Sequence, residues 1–358
     1  MEIKKSFTTE QYTAIYQVDD ENDGKRLDQF MMNFLPSFSR VSIKKKITSG
    51  DITISNRAPP HKASTKVYEG EKITLITKRG TNEDEYWRGT LIKLQDPEII
   101  FEDNDILVIM KPPFMMTHPS GKHLFYCATV FYETLYGHVI HSVHRLDRET
   151  SGIMLLAKNP KTANKITPLF EEKKVSKCYF FVAHKKKDRT FPFTAHERLG
   201  PKDKHIPRQY IHCFPPESQD GKHAQTHFEL LEENDNYIIG MAFPRTGRQH
   251  QIRAHASYHG FPLVGDKMYN GDSTVFTRFK DEAATQEDFN LMQIPRHALH
   301  AVAISFDYKD ENQNKLFVSP LSQDLKSLVR QHMGDKCTID QLSKLIHNKT
   351  TKYLKLSG

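Results

Sequence analysis

The residues best suited to chemistry in this chain are concentrated at 144–152, where a carboxylate stands between two arginines. The stretch reads His144-Arg145-Leu146-Asp147-Arg148-Glu149-Thr150-Ser151-Gly152 and leads into the apolar run 153–157. Because neighbouring positive charges favour the ionised form of an acid, the two arginines predict that Asp147 remains a carboxylate at the mouth of a buried strand. The alternative is a network of ion pairs that only stabilises the fold, which is the commoner outcome for such sequences.

Two further groups of residues are candidates for a site. Arg245, Arg248 and Arg253 alternate with amide and imidazole side chains. Their guanidinium groups can clamp phosphates or pair with a distant carboxylate, and the alternative is a solvated basic turn that leads into a helix. Tyr179 follows Lys177-Cys178 at the start of an apolar run. Its simplest interpretation is a tyrosine at the edge of the core with a satisfied hydroxyl.

Motifs that indicate a metal or a nucleotide cofactor do not occur in the sequence. The four cysteines, Cys127, Cys178, Cys213 and Cys337, include no Cys-x-x-Cys pair, and the 19 histidines include no His-Glu-x-x-His motif. Gly-x-Gly-x-x-Gly, Gly-x-x-x-x-Gly-Lys-Ser/Thr and Gly-x-Ser-x-Gly are missing as well. The sequence therefore predicts idle thiols, no metal and no cofactor.

Length and composition predict two domains in an ordinary globular protein. The 358 residues are 37% apolar and include 22 Phe and 14 Tyr, enough to bury a core. No window approaches the ~18 apolar residues of a membrane span, and no apolar run of secretory length follows the N-terminus. We therefore expect a cytoplasmic protein with no membrane contact.

The positive charge of the chain is concentrated near its beginning. The net charge is +7, but residues 25–79 alone contain 12 Lys and Arg against 4 Asp and Glu. The rest of the chain is therefore almost neutral. A basic segment of this size indicates a surface that binds a polyanion, and a merely solvated basic surface is the alternative.

This basic segment predicts two short helices against a small sheet. Leu27, Phe30, Met31, Phe34 and Leu35 follow the spacing of one helical face, and Pro36 is expected to end that helix. Ser39 is a suitable N-cap for a second helix from Arg40, with Ile43 and Ile47 inward and Gly50 at its C-terminal end. Strands are predicted around 52–54 and 73–75.

The remainder predicts an α+β fold with a largely antiparallel or mixed sheet. Residues 80–97 have the polar composition of a linker, with Trp87 as a possible anchor, and 185–221 are expected to form an insertion or long loops. Predicted helices lie near 127–136 and 160–172. Predicted strands lie at 99–101, 106–110, 152–157, 178–183, 226–231, 237–243 and 298–306.

The basic segment resembles the S-four-type RNA-binding domain, named after a ribosomal protein. The matching residues are Arg26-Leu27-Asp28, Ser39-Arg40, Ile43, Ile47, Gly50, Ile52, Asn56 and 67–76. In that module the second helix and the following turn lie on RNA phosphates. The resemblance implies that Arg40, Lys44, Lys45 and Arg57 contact RNA.

The rest of the chain resembles the RluA-like family of RNA pseudouridine synthases over roughly residues 97–320. The stretch 144–158 matches the long signature of that family, and 247–253, 262–266 and 296–301 match further blocks in the expected order. Upstream, 101–103, 106–112 and His118-Pro119 also match. One departure is Pro113-Phe114, where the family usually has a small Ala-Gly pair, so a bulkier loop is expected there.

The resemblance implies an isomerase that detaches uracil from its ribose, turns it and rejoins it through C5, with no cofactor. It implies that Asp147 acts on the ribose as nucleophile or base and that Arg253 is its ion-pair partner. It also implies that Tyr179 is an aromatic wall for the base and a candidate for moving the C5 proton. Lys111, Arg145 and Arg148 are expected to contact RNA phosphates or the loop.

The expected organisation is an RNA-binding domain at 1–79, a linker at 80–97, a catalytic domain at 98–325 and a C-terminal extension at 326–358. The expected partner of this monomeric enzyme is ribosomal or transfer RNA. Two alternatives stay open. One is a non-catalytic RNA-binding or ribosome-assembly factor, which needs none of Asp147, Tyr179 and Arg253. The other is a nucleoside hydrolase or glycosylase, which releases free uracil.

Overall fold

A computed structural model of the chain describes residues 2–35, 38–80, 83–120, 123–201, 210–272, 274–308, 314–334 and 337–355. The expected helix stop at Pro36 and the central part of the 185–221 segment lie outside these residues. The chain forms two compact units, one comprising Met1–Asp84 with His118–His138 and the other Glu85–Thr117 with Val139–Gly358. Within the described residues, none of the helices combines the length and apolar composition that a membrane crossing needs.

The first unit contains a four-stranded antiparallel sheet with short helices. Its elements are β1 (Glu2–Phe7), β2 (Gln11–Gln17), α1 (Leu27–Met32), α2 (Arg40–Thr48), β3 (Ile52–Ile54), β4 (Lys72–Lys78) and α3 (Ala128–Tyr136). The strand order is β1-β2-β4-β3. The two predicted helices and the strands β3 and β4 are confirmed. Strands β1 and β2, which the sequence analysis did not predict, complete the sheet.

The helices of this unit form because one face of each is apolar and their ends are capped. Leu27 and Phe30 of α1 and Ile43 and Ile47 of α2 are fully buried. The Ser39 hydroxyl accepts a hydrogen bond from the Ser42 backbone N–H at 3.2 Å, which satisfies a donor at the start of α2. The outer face of α2 is left to solvent and carries its lysines.

A buried carboxylate ties the start of α3 to the end of the N-terminal segment. The carboxylate of Glu83, whose residue is 3% exposed, accepts hydrogen bonds from the backbone N–H groups of Leu124, Phe125 and Tyr126. A carboxylate with three amide donors is a strong local anchor. Residues 118–138 therefore belong to the first unit although they lie inside the range expected for the catalytic domain.

The second unit is built on a ten-stranded mixed sheet. Its strands are β7 (Glu98–Glu102), β8 (Ile106–Lys111), β9 (His141–Ser142), β10 (Ser151–Ala157), β11 (Ser176–His184), β12 (Phe193–Ala195), β15 (Thr226–Glu233), β16 (Tyr237–Pro244), β17 (Leu299–Asp307) and β18 (Asn314–Val318). The order is β12-β15-β16-β11-β17-β10-β8-β7, with β18 beside β17 and β9 beside β10. Among the described strand pairs, β10 and β17 run parallel and the others antiparallel, which confirms the predicted α+β class.

In the part of the second unit that the structure describes, two small hairpins and six helices accompany this sheet. The hairpins are β5 (Tyr86–Trp87) with β6 (Thr90–Leu91) and β13 (Arg198–Gly200) with β14 (His212–Phe214). The helices are α4 (Pro160–Glu171), α5 (Gln251–Tyr258), α6 (Val275–Lys280), α7 (Gln286–Met292), α8 (Gln323–Met333) and α9 (Ile339–Lys355). Trp87 stacks on Phe279 with ring centroids 6.1 Å apart and contacts the edge of Phe289, so the first hairpin is held by aromatic contacts.

The described part of the segment 326–358, which was expected as a C-terminal extension, contributes to a core cluster of this unit. Leu328 of α8 and Leu342 and Leu354 of α9 are buried in one cluster with Phe180 of β11 and Met241 of β16. Burying this much apolar surface is the main source of stability for such helices. Helices α6 to α9 were not predicted from the sequence.

Close approach of two strands brings the signature stretch onto the sheet. Gly152 has a φ of +107°, and a Cβ atom there would lie 2.2 Å from the carbonyl oxygen of Ala301 on β17. Only glycine fits this backbone and this contact. The pairing of Ser151 and Gly152 with His300 and Ala301 therefore depends on the glycine, and it fixes where the preceding loop emerges.

Candidate active site

Asp147, Tyr179 and Arg253 line one cleft in the second unit. The cleft has a volume of about 440 Å³ and is walled by the loop before β10, the start of β11, the end of α4 and the loop that leads into α5. That volume lies within the range of small-ligand pockets, and it suits a single nucleotide. Residues far apart in the chain are thus brought together as the family resemblance implies.

The segment that directly follows Asp147 is fixed by hydrogen bonds from residues around β17. Thr150 Oγ1 lies 2.7 Å from His297 Nε2, and Ser151 Oγ lies 2.8 Å from His300 Nδ1. The fully buried guanidinium of Arg296 donates to the carbonyl of Glu149 at 3.3 Å. A site held in this way needs little reorganisation when a substrate binds.

Arg253 contacts two carboxylates with different nitrogen atoms. Its Nη1 donates to Asp147 Oδ2 at 3.0 Å, while Nε and Nη2 donate to the two oxygens of Asp266 at 2.7 and 2.8 Å. The Arg253 side chain is 8% exposed. Burial by itself lowers the pKa of Arg253, but Asp266 and Asp147 outweigh burial and raise it well above its usual range. Arg253 is therefore a permanent cation beside Asp147.

Asp147 is held ionised although it is largely buried. Burial by itself raises the pKa of this carboxyl, but His250, Arg253 and His297 outweigh burial and lower its pKa below the usual range. Burial lowers the pKa of His250 to about 4 and also lowers the pKa of His297, so both imidazoles are neutral at pH 7. At neutral pH the charge that stabilises the carboxylate is therefore that of Arg253.

The start of α5 is shaped to place both Arg253 and His250. His250 stands at the N-cap with a φ of +53°, its Nδ1 lies 3.1 Å from the Tyr269 hydroxyl, and its Nε2 lies 3.9 Å from Asp147 Oδ2. Gln251 accepts hydrogen bonds from Thr246 Oγ1 at 2.7 Å and donates to the Gln225 carbonyl at 2.9 Å. These contacts fix the loop before the helix.

A bulge in β17, where Val302 is the extra residue, sets the position of Tyr179 on the paired strand β11. The register between β11 and β17 shifts between Cys178 and Tyr179, so that Cys178 pairs with Ala303 and Tyr179 with Ala301. Bulges of this kind re-aim a side chain at a functional site. Burial and the nearby charge of Asp147 raise the pKa of Tyr179, so its phenol is neutral at pH 7.

Lys177 and His144 also line the cleft, and they differ in whether their side chains already have hydrogen-bond partners. Burial lowers the pKa of Lys177 to about 8, and its Nζ would lie 3.7 Å from a Cβ atom placed on Gly247. His144 stacks on Phe170, with ring centroids 4.7 Å apart, and accepts a hydrogen bond from the Leu155 N–H. The histidine of the signature is thus fully used in holding the loop against β10.

Three RNA contacts were predicted near the cleft, and the structure contradicts the one at Lys111. Lys111 is fully buried, and its Nζ donates to the carbonyls of Pro112, Met115 and Arg148 at 2.9, 2.8 and 3.2 Å. It makes the loop contact and cannot reach a phosphate. Arg148 pairs with Glu85 and lies over the ring of Phe114, whereas Arg145 is exposed in the cleft.

The four predicted contacts in the first unit divide into two kinds. Arg40 pairs with the buried carboxylate of Asp28 at 3.0 Å, and Arg57 pairs with Glu71 at 2.5 Å. Lys44 and Lys45 are exposed on α2, and no carboxylate among the described residues lies within ion-pair distance of either. Only these two lysines are fully available to a polyanion.

The departure at Pro113-Phe114 has a local consequence. Phe114 is buried with a φ of +67°, a left-handed conformation that glycine adopts freely. A non-glycine residue is destabilised there by roughly 1–2 kcal/mol. The packing of Phe114 under Arg148 offsets this strain, which is consistent with the bulkier loop expected from the sequence.

Several residues that build the site received no role in the sequence analysis. Asp266 and Arg296 belong to the matched blocks, but their partners Arg253 and Asp324 are distant in sequence. Asp266 could have been identified from the sequence, because it follows the apolar residues of 262–266. A carboxylate buried with such residues needs a cation as its partner. Within the described residues, no three His, Cys, Asp or Glu side chains are grouped so that they could hold a metal ion.

The fold and cleft define an enzyme with one ionised, arginine-paired aspartate beside a neutral tyrosine. The profile of the family described as RNA pseudouridylate synthase matches residues 105–258. Ribosomal large subunit pseudouridine synthase D of Vibrio vulnificus (strain CMCP6) is 31% identical over 324 residues, covering 87% of this chain and 92% of the relative. The protein of the same name from Blochmanniella floridana is 31% identical over 325 residues, with coverages of 87% and 96%.

Solved structures agree in fold. Human RNA pseudouridylate synthase domain containing 1 aligns with a TM-score of 0.52 at 20% identity, covering 70% of this chain and 95% of its own. The human domain containing 4 aligns with a TM-score of 0.50 at 22% identity, with coverages of 65% and 92%. The chain belongs to the RluA-like family of RNA pseudouridine synthases. It is an enzyme that isomerises uridine to pseudouridine in RNA.

Proposed function

We propose that this enzyme modifies specific uridines of ribosomal RNA, acting as a monomer in the cytoplasm. The choice of ribosomal RNA follows the names of the relatives that the chain matches over most of its length. The single observation that carries the catalytic part is the 3.0 Å contact between Arg253 and Asp147 in a cleft that also contains Tyr179. A binding factor has no use for an ionised acid held in this way at the wall of a cleft.

In this proposal the target uridine leaves its stack and enters the cleft. Unstacking a base is unfavourable by a few kcal/mol, and stacking on an aromatic side chain recovers part of that. The bond between N1 and the ribose breaks, uracil turns, and a bond forms between C5 and the same ribose carbon. C5 then loses its proton and N1 gains one, so the product is an isomer of the substrate and nothing is released.

The three cleft residues have distinct roles in this scheme. Asp147 acts on the ribose as nucleophile or base, and its low pKa keeps it ionised for either role. Arg253 orients Asp147 and compensates its charge. Tyr179 forms the aromatic wall for the base, and its hydroxyl takes part in removing the C5 proton. His250 lies beside Asp147, and Asp266 holds Arg253 in place.

Binding of the RNA outside the cleft is assigned to the first unit and to the rim of the cleft. The first unit is proposed to be an S-four-type RNA-binding domain whose exposed Lys44 and Lys45 contact phosphates. Arg145 is proposed to contact the backbone near the target nucleotide. Phosphate contacts of this kind supply affinity and orientation without reading sequence.

The test is a comparison of pseudouridine in cells with and without the gene, mapped over ribosomal and transfer RNA. We expect one or a few ribosomal positions to lose pseudouridine in the deletion strain and to regain it with the wild-type gene. The purified enzyme should then convert a transcript containing that position. Release of free uracil would instead indicate a glycosylase, and an unchanged pseudouridine map with altered ribosome assembly would indicate a binding factor.

A further inference from the structure

A second, smaller cleft adjoins the catalytic one. It has a volume of about 230 Å³ and shares Lys173, Lys177 and Pro244 with the catalytic cleft. Its other walls come from β15, from Arg245 at the end of β16 and from Tyr353 of α9. A polymer that occupies the catalytic cleft therefore meets this second cleft across their common wall.

The charged groups of the smaller cleft favour an anion. Lys173, Lys177 and Arg245 line it, and among the described residues no carboxylate lies within ion-pair distance of any of the three. Lys173 and Arg245 are exposed. Three cations without a protein partner, facing one cavity, form a site for a phosphate group of a ligand.

The opposite wall is aromatic and rigid. Tyr353 stacks on Phe243 with ring centroids 4.2 Å apart, and its hydroxyl lies 2.6 Å from His227 Nε2 and donates to Glu229. Lys349 also pairs with Glu229, so this carboxylate is neutralised and does not repel an anion. Phosphate-binding cations opposite fixed aromatic rings are the combination that binds single-stranded nucleic acid.

We propose that the smaller cleft is a subsite for one nucleotide of the RNA that neighbours the target uridine. Arg245 and Lys173 hold its phosphate, and Tyr353, supported from below by the buried ring of Phe243, supplies the surface for its base. Helix α9 thereby takes part in choosing the substrate, in addition to covering the core. The inference rests on the proposed function, since it places the neighbour of a nucleotide whose uracil lies in the catalytic cleft.

The test measures binding of the full-length protein to a fluorescein-labelled oligouridylate of about 12 nucleotides, a length within the range of single-strand binding grooves. Arg245→Ala should reduce the slope of log affinity against log salt by about 0.7, the contribution of one phosphate contact on a single strand. Arg330→Ala is the matched control, because Arg330 is exposed on α8 and lies outside the lining of both clefts. It should leave the slope unchanged.

The aromatic wall is tested with a second pair of variants. Tyr353→Leu should weaken binding about fivefold or more, without a change in salt slope, because stacking involves no counterion release. Tyr353→Phe keeps the ring and should bind like the wild type. A wild-type slope for Arg245→Ala, or equal affinities for the Leu and Phe variants with unchanged thermal unfolding, overturns the subsite.

The subsite and the proposed function can fail separately, because binding is measured without turnover. If Arg245 and Tyr353 affect binding as expected but no RNA acquires pseudouridine, the function fails and the subsite stands. If pseudouridine forms at wild-type KM in Arg245→Ala and Tyr353→Leu, the subsite fails and the function stands.

Discussion

Asp266 binds the guanidinium of Arg253 through two hydrogen bonds, of 2.7 and 2.8 Å, and leaves the third nitrogen for Asp147. A single arginine is thus fixed by a fully buried carboxylate and directed at a partly exposed one. The planar guanidinium makes this division possible, since its donors lie in a rigid fork. Asp266 positions the cation and Asp147 faces the cleft.

Asp147→Asn should abolish pseudouridine formation while RNA affinity stays within about twofold of the wild type. The amide has nearly the same size and can still accept a hydrogen bond from Arg253, but it has no charge with which to act on the ribose. Pseudouridine in a cognate transcript and RNA affinity are measured side by side. Residual turnover within about tenfold of the wild type would contradict the assignment of Asp147.

The pH dependence of activity should report on the ion pair between Asp147 and Arg253. Because the pKa of Asp147 is lowered, its ionised form is present above that pKa and is lost only as pH falls through it. The kcat/KM of the wild type should therefore stay flat from pH 8 to about pH 5. In Arg253→Met the permanent positive charge that opposes burial is lost, so the pKa of Asp147 rises and the acid limb of the profile moves to higher pH.

Arg253→Lys is the control for this experiment. The ammonium of the lysine keeps the positive charge but cannot contact Asp147 and Asp266 with the same fork. The activity of this variant and the pH of its acid limb should therefore lie between those of the wild type and Arg253→Met. Removing the cation altogether leaves buried Asp266 unpaired, which should lower the free energy of unfolding by about 3–5 kcal/mol. Identical acid limbs in the wild type and Arg253→Met would refute the pairing as the cause of the low pKa.

Tyr179→Phe keeps the ring and removes only the hydroxyl. If Tyr179 takes part in removing the C5 proton, the variant should still detach and rejoin uracil but form final product about 10²–10⁴ times more slowly. We expect this outcome, with a rearranged intermediate that stays on the RNA. Rapid-quench analysis of the RNA would detect it. Product formation at the wild-type rate would reduce Tyr179 to a stacking wall, a role that Phe fills as well.

Lys111→Met distinguishes a loop anchor from an RNA contact. The substitution leaves three buried carbonyls without their donor, at about 1–3 kcal/mol each, so thermal stability and kcat should both fall. RNA affinity and its salt slope should not change, because the ammonium is fully buried. A smaller salt slope in Lys111→Met would show that a phosphate reaches this lysine after all.

Lys44→Ala/Lys45→Ala should weaken RNA binding and lower its salt slope by roughly 1.4–1.8, the release of counterions from two phosphates. Turnover at saturating RNA should be unchanged, because the proposed catalytic residues Asp147, Tyr179 and Arg253 lie in the other unit. Lys161→Ala/Lys165→Ala removes two exposed lysines from α4 and serves as the control of equal charge. Equal slopes for the two double variants would remove α2 from the RNA-binding surface.

The amino-acid sequence by itself determined the chemical class of this protein and many, though not all, of its helices and strands. The alternation around Ile52 and Ile73, the apolar face of α2 with its cap at Ser39, and the long signature around Asp147 are local patterns. Local patterns follow from backbone geometry and side-chain type, so they can be read without coordinates. Charge density in 25–79 likewise depends only on composition.

The tertiary structure decided which of several equally polar side chains face solvent and which are buried and hydrogen-bonded to other protein groups. Lys111 and Arg145 are both basic residues in matched stretches, yet only the first is buried against carbonyls. Asp266 gained its partner Arg253 from 13 residues earlier in the chain, and Tyr353 gained its partner Glu229 from 124 residues earlier. Burial and pairing of this kind depend on long-range packing, which sets the dielectric surroundings of each charge and has no signature in the nearby sequence.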